Sequence, residues 1–120
     1  MAKLQSSDYV VKYNTYWIEN NVTLFIQMEL CFNNLDKILI QKRTEFRREQ
    51  FKIMSLAEYY ISSEIFREIL EGIHFLHNLK PKPIIHKDLK SSNLLITHDF
   101  SGRFVKLAHF GLAVVHECDD

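Results

Sequence analysis

His86-Lys87-Asp88-Leu89-Lys90-Ser91-Ser92-Asn93-Leu94-Leu95 is the stretch on which the reading of this chain turns. The pattern His-x-Asp-Leu-Lys-x-x-Asn fixes five positions, so chance rarely writes it in a chain of 120 residues. Downstream, in a consistent order, comes Ala108-His109-Phe110-Gly111-Leu112-Ala113. Apolar residues bracket the first string, with Ile84-Ile85 before it and Leu94-Leu95 within its end.

Outward from this loop, the sequence predicts the elements that carry it. Upstream, Ser55-Leu56-Ala57-Glu58 has the form of a capping box, the serine taking a free backbone N–H and the glutamate reaching back. The helix it opens carries Ile61, Ile65, Ile69, Ile73 and Leu76 on one stripe, with Phe66 and Leu70 beside them. This spacing predicts a buried face about five turns long. Pro81 and Pro83 end it. Downstream, Leu94–Thr97 and Arg103–Leu107 flank a turn containing Gly102, which predicts a hairpin.

The N-terminal part predicts a second hairpin. Tyr9–Ile18 is rich in β-branched and aromatic residues, Glu19-Asn20-Asn21 is a turn signal, and Val22–Leu30 is again strand-like. Asn34 is placed to cap a short helix through Leu35, Ile38 and Leu39. Residues 41–52 mix charges with little apolar content and read as a solvated helix end or insert, their basic residues serving solubility. The order is hairpin, small helix, long helix, loop, hairpin, an α+β arrangement.

Composition bounds the function. At 120 residues, 47% hydrophobic and 25% charged, the chain is one domain with enough apolar content for a core. Fifteen basic residues balance fifteen acidic ones, so no global field points to nucleic acid or membrane. Cys31 and Cys118 fit no zinc or C-x-x-C spacing and are expected as reduced thiols. No apolar run has the length of a membrane span and the N-terminus lacks a signal-peptide core, so a cytoplasmic or nuclear location is expected. The low glycine and proline content marks no linker.

The two motifs, in this order and among these elements, resemble the eukaryotic protein kinase family, of the serine/threonine type. The resemblance runs over the whole chain. It implies a partial kinase fold: the family's fourth–fifth strand hairpin, hinge, helix D, long helix E, catalytic loop and seventh–eighth strand hairpin, with both lobes incomplete. Residues 1–30 would be the end of the N-lobe, 31–34 the hinge and 35–120 the start of the C-lobe. Tyr13–Glu19 and Leu24–Cys31 are similar to strands of kinases acting on translation initiation factor 2α and of their Wee-type relatives.

The family's chemistry implies ATP, Mg²⁺ and a protein substrate. By the resemblance, Asp88 accepts the proton of the substrate hydroxyl and orients it, and Lys90 neutralises the transferring phosphate. Asn93 would hold a magnesium ion through its amide oxygen. Met28 is the gatekeeper, the backbone of Glu29 to Cys31 meets the adenine edge, and Leu95 lies under the ring. Met1, Tyr13, His86 and Phe110 would stack as the spine coupling the lobes. His74 and His77 read as ordinary helix residues, and Cys31 as a small hinge residue.

Three departures bear on activity. His109 stands where the family's metal-binding aspartate is expected, and Mg²⁺ prefers hard oxygen donors to imidazole nitrogen. Lys87 replaces an arginine and keeps its charge without the bidentate fork. Glycines occur only at 72, 102 and 111, so no Gly-x-Gly-x-x-Gly loop is present. A Val-Ala-Ile-Lys strand and an Ala-Pro-Glu motif are not found either. The expectation is a kinase fragment whose own catalysis is weakened or lost, with a pseudokinase-type binding module or a non-functional fragment as the alternatives. The uncovered sheet edge and helix face predict a sticky surface.

Overall fold

The computed structural model describes residues 8–45, 53–97 and 103–117. Expectations placed on Met1, residues 46–52, Gly102 and Cys118 lie outside the described residues.

Strands β1 (Tyr13–Glu19) and β2 (Thr23–Met28) pair antiparallel as the predicted hairpin. Asn20 and Asn21 both adopt positive φ, near 53° and 54°, in the turn. Asparagine tolerates that left-handed region better than most residues, which is why this dipeptide closes the hairpin. The first strand begins later than Tyr9. Tyr9 to Val11 runs along another strand, β6 (Val105–Leu107): the Val11 N–H donates to the Leu107 carbonyl and the Leu107 N–H donates to Tyr9. Val10 and Val11 are thereby buried, which apolar residues gain more from than an exposed hairpin position.

A short strand β3 (Asn33–Asn34) leads into helix α1 (Leu35–Glu45). The Asn34 side chain accepts the Lys37 N–H at 2.9 Å, the cap anticipated from its type. Residues 41–45 are helical, but Lys42 is not a solubilising surface lysine. It is buried and its ammonium meets Glu58 at 2.9 Å and Ser62 at 3.1 Å. A charge can be held there because its counter-charge is buried with it.

Helix α2 (Leu56–His77) starts at Ser55, whose hydroxyl accepts the Glu58 N–H. Its buried face is rotated from the expected isoleucine stripe. Glu58, Glu68, Gly72 and Leu76 are the buried positions, Ile65, Ile69 and Ile73 are partly buried, and Ile61, Phe66 and Leu70 are exposed. The reason is the close approach of β6. A Cβ on Gly72 would meet the Leu107 side chain at 3.3 Å, so the glycine side of the helix faces the sheet.

Strands β4 (Ile84–Ile85) and β7 (Val114–Val115) pair antiparallel, as do β5 (Leu94–Ile96) and β6, the latter being the second predicted hairpin. The sheet order β3-β5-β6 sets α1 and α2 around a core of Val10, Leu35, Leu76, Leu94, Val105 and Leu107. Each such side chain contributes about 1.5–3 kcal/mol on burial. The fold is the expected α+β arrangement. The hairpin β1–β2 stands largely outside this core, with Tyr16, Ile18, Leu24 and Ile26 exposed and Trp17 stacked on Phe25.

Candidate functional site

The loop after β4 is held by its own polar side chains. His86 is buried, its Nε2 lies 2.7 Å from the Ala108 carbonyl, and its Nδ1 accepts the Asp88 N–H at 3.2 Å. That pattern assigns the ring proton to Nε2 and makes His86 a neutral strut between the loop and the end of β6. Its ring packs on Phe110, with centroids 4.8 Å apart. Lys87 reverses the chain at a φ of 63°. A 3₁₀ turn (Ser91–Asn93) then returns it to β5.

Asn93 closes the loop. Its Nδ2 donates to the Asp88 carbonyl at 2.8 Å and to Asp88 Oδ2 at 3.2 Å, and its own carbonyl accepts the Ala108 N–H. The sequence-predicted Asp88 and Asn93 are therefore in direct contact. Lys90 Nζ lies 3.8 Å from Asp88 Oδ1, and His109 Nδ1 lies 3.4 Å from Asp88 Oδ2. His109 is exposed and adopts a φ of 62°, a conformation open to histidine more than to most residues. The Asp88 carboxylate thus faces solvent among an amide, an ammonium and an imidazole.

The residues expected around a flat heterocycle fall on a neighbouring edge. Met28 ends β2 and pairs with Tyr13. Glu29 follows it, and its carboxylate is a junction: Oε1 accepts the Lys12 N–H at 2.8 Å and the Lys106 ammonium at 2.9 Å. Lys106 in turn pairs across the sheet with Leu95. Met28, Glu29 and Leu95 are thus linked through Tyr13, Lys12 and Lys106. Burial pushes the Cys31 thiol up, Glu29 adds to that and Lys106 opposes it, which disfavours the reactive thiolate. Tyr13 and Phe110 line a common cleft of about 700 Å³ with Tyr16, Leu24 and Ile26. Of the expected spine residues, His86 and Phe110 are in contact and Met1 lies outside the described residues.

Several contacts had no motif to announce them. The buried Glu68 carboxylate accepts the Phe104 N–H at 3.0 Å and the Val105 N–H at 2.8 Å, which anchors β6 to α2. Arg103 donates to the Glu68 carbonyl, pairs with Glu71 and lies over the Tyr9 ring at 4.3 Å. A signal did exist, because Glu58 and Glu68 share helical phase with Ile65, Gly72 and Leu76, so two acids sit on an apolar face. His74 is exposed and bonds with Asn78, and among the described residues no three of His, Cys, Asp or Glu gather as a metal-binding group.

The chain matches the family model described as protein kinase domain over residues 1–119. It is 32% identical over 113 residues to the mitosis inhibitor protein kinase wee1 of Schizosaccharomyces pombe, covering 93% of this chain and 11% of that protein. It is 33% identical over 99 residues to eukaryotic translation initiation factor 2-alpha kinase 3 of Rattus norvegicus, covering 82% and 8%. The chain therefore spans about a tenth of the length of these curated relatives. Among solved structures, the yeast RNA Pol II CTD kinase CTDK-1 complex contains a similar chain. The TM-score is 0.64 and the identity 27%, over 97% of this chain and 33% of that one.

Proposed function

This chain belongs to the protein kinase domain family, and from that premise we propose that it is part of a serine/threonine kinase domain that binds ATP but has lost phosphoryl transfer from Mg·ATP. The observation that carries the reading is the Asp88–Asn93–His109 arrangement. Asp88 and Asn93 keep the contacts of a formed loop, with Nδ2 of Asn93 3.2 Å from Asp88 Oδ2, while an imidazole takes the place of the second carboxylate.

In the inherited chemistry Asp88 would take the proton of a serine or threonine hydroxyl and hold that oxygen in line, and Lys90 would meet the charge of the transferring phosphate. The adenine edge would lie against the backbone of Glu29 to Cys31, with Met28 and Leu95 as apolar walls. The Mg²⁺ that this chemistry uses does not fit the donor set here. Asn93, its amide nitrogen turned to Asp88, still has its amide oxygen for a cation, but His109 offers nitrogen where a second hard oxygen is needed. Electrostatic positioning supplies most of the catalysis in phosphoryl transfer, so losing it removes turnover before it removes binding. The chain then serves as a nucleotide-dependent binding module, with a protein as its partner.

Two measurements on the 120-residue chain test this. ATP should raise the thermal midpoint with or without Mg²⁺, by an amount equivalent to about 2.7 kcal/mol at a hundredfold excess over Kd. Labelled ATP should give no transfer to a generic serine/threonine substrate. Absence of a midpoint shift defeats the nucleotide reading. Transfer that vanishes in Asp88→Ala defeats the loss of catalysis.

A further inference from the structure

We propose that Lys106 is a positioning residue for the nucleotide base, an assignment that rests on the nucleotide reading above and deepens it. Through Glu29 it fixes the backbone edge from Glu29 to Cys31, and so sets a preference for adenine over guanine nucleotides.

The segment that follows β2 is anchored at both ends. At the first, the Glu29 N–H donates to the Lys12 carbonyl at 2.8 Å, and Glu29 Oε1 accepts the Lys12 N–H at 2.8 Å. Backbone and side chain of Glu29 thus grip the same residue. At the second, the Phe32 N–H donates to the Ile96 carbonyl at 2.7 Å. Between these anchors, Leu30 and Cys31 make no backbone hydrogen bond among the described residues. Their N–H and C=O groups are open to the edge of a flat ligand.

The grip of Glu29 depends on Lys106. The glutamate side chain is 23% exposed and the lysine 6%, with Nζ 2.9 Å from Oε1. So enclosed, the carboxylate needs a counter-charge to stay where it is. Without one it is drawn toward the water it still reaches, and its bond to the Lys12 N–H no longer fixes one position. Lys106 also pairs across the ladder with Leu95, the apolar wall of the same slot. One residue therefore sets both the edge and the wall. Adenine presents an amino donor beside a ring-nitrogen acceptor, and guanine presents a carbonyl acceptor beside an N–H donor. A backbone edge held to within about 0.5 Å rejects the wrong order, because it leaves polar groups unpaired.

ATP and GTP, each without Mg²⁺, are titrated calorimetrically into the 120-residue chain, at a temperature where circular dichroism shows every variant folded. The wild-type chain should prefer ATP by roughly tenfold or more. Lys106→Met should weaken ATP roughly tenfold, the loss of one or two hydrogen bonds, and GTP by about twofold at most. Lys106→Met with Glu29→Gln should bind ATP no more weakly than the weaker single variant, since the lysine acts through the glutamate. If Lys106→Met does not fold, Glu29→Gln carries the test and must lower the ratio of ATP to GTP affinity. A wild-type chain that binds neither nucleotide defeats the nucleotide reading and this assignment with it. ATP binding without preference over GTP defeats this assignment alone. So do equal losses for the two nucleotides, an unchanged ATP affinity in the folded variant, or additive losses in the double variant.

Discussion

Lys106 and Glu29, seventy-seven residues apart in the chain, meet at 2.9 Å with the lysine side chain only 6% exposed. The pair ties the end of β2 to β6, and so joins the candidate nucleotide edge to the strand that leads into His109. Lys106→Met should preserve much of the packing and remove the charge. A loss of about 1–3 kcal/mol is expected in urea unfolding, short of the cost at a fully buried pair because Glu29 retains some solvent and the Lys12 N–H. An unchanged midpoint would show that the contact is dispensable.

The ion pair between Lys42 and Glu58 is more deeply buried, at 7% and 1% side-chain exposure. Removing one charge leaves the other in a low-dielectric surrounding. Lys42→Met should cost about 3 kcal/mol, and Lys42→Met with Glu58→Gln should cost less than the single change. A double variant as destabilised as Lys42→Met alone, or more so, would contradict this.

Gly72 is where helix α2 and strand β6 come closest. Gly72→Val puts branched carbons against Leu107 and should destabilise by about 1–3 kcal/mol, despite the better intrinsic helix propensity of valine. Gly72→Ala should be far milder, since its Cβ stands 3.3 Å from a side chain able to shift by a few tenths of an ångström. Thermal denaturation of the two variants separates close packing from propensity.

The Cys31 thiol is pushed up by burial, with Glu29 adding and Lys106 opposing. In a Cys118→Ser background its alkylation by iodoacetamide should be slow at neutral pH. The rate should still be climbing where a free cysteine, with its pKa of about 8.5, has begun to level off. Rapid labelling at pH 7 would mark a depressed pKa and a different surrounding.

Local chemistry made much of this chain legible. Asn20 and Asn21 announce the turn between β1 and β2, Asn34 and Ser55 announce two helix starts, and the string from His86 to Asn93 announces the loop and the family. Each of these depends on neighbours within a few residues, where residue type limits backbone conformation and hydrogen bonding directly. The facing of helix α2 was only partly legible. Its isoleucine stripe overlaps the buried side, but Ile61, Phe66 and Leu70 are exposed because β6 approaches along Gly72.

The sequence by itself determined the lineage, the order of elements and the presence of His109 where an aspartate is expected. Only the tertiary structure decided that His109 stands 3.4 Å from Asp88, that Glu29 is held by Lys106, and that Lys42 is buried against Glu58. Helical periodicity and capping act over one or two turns, whereas these pairings depend on where separate strands and helices pack. A charged residue is written the same way whether it faces water or a partner. The partner comes from a distant segment, and folding brings it there.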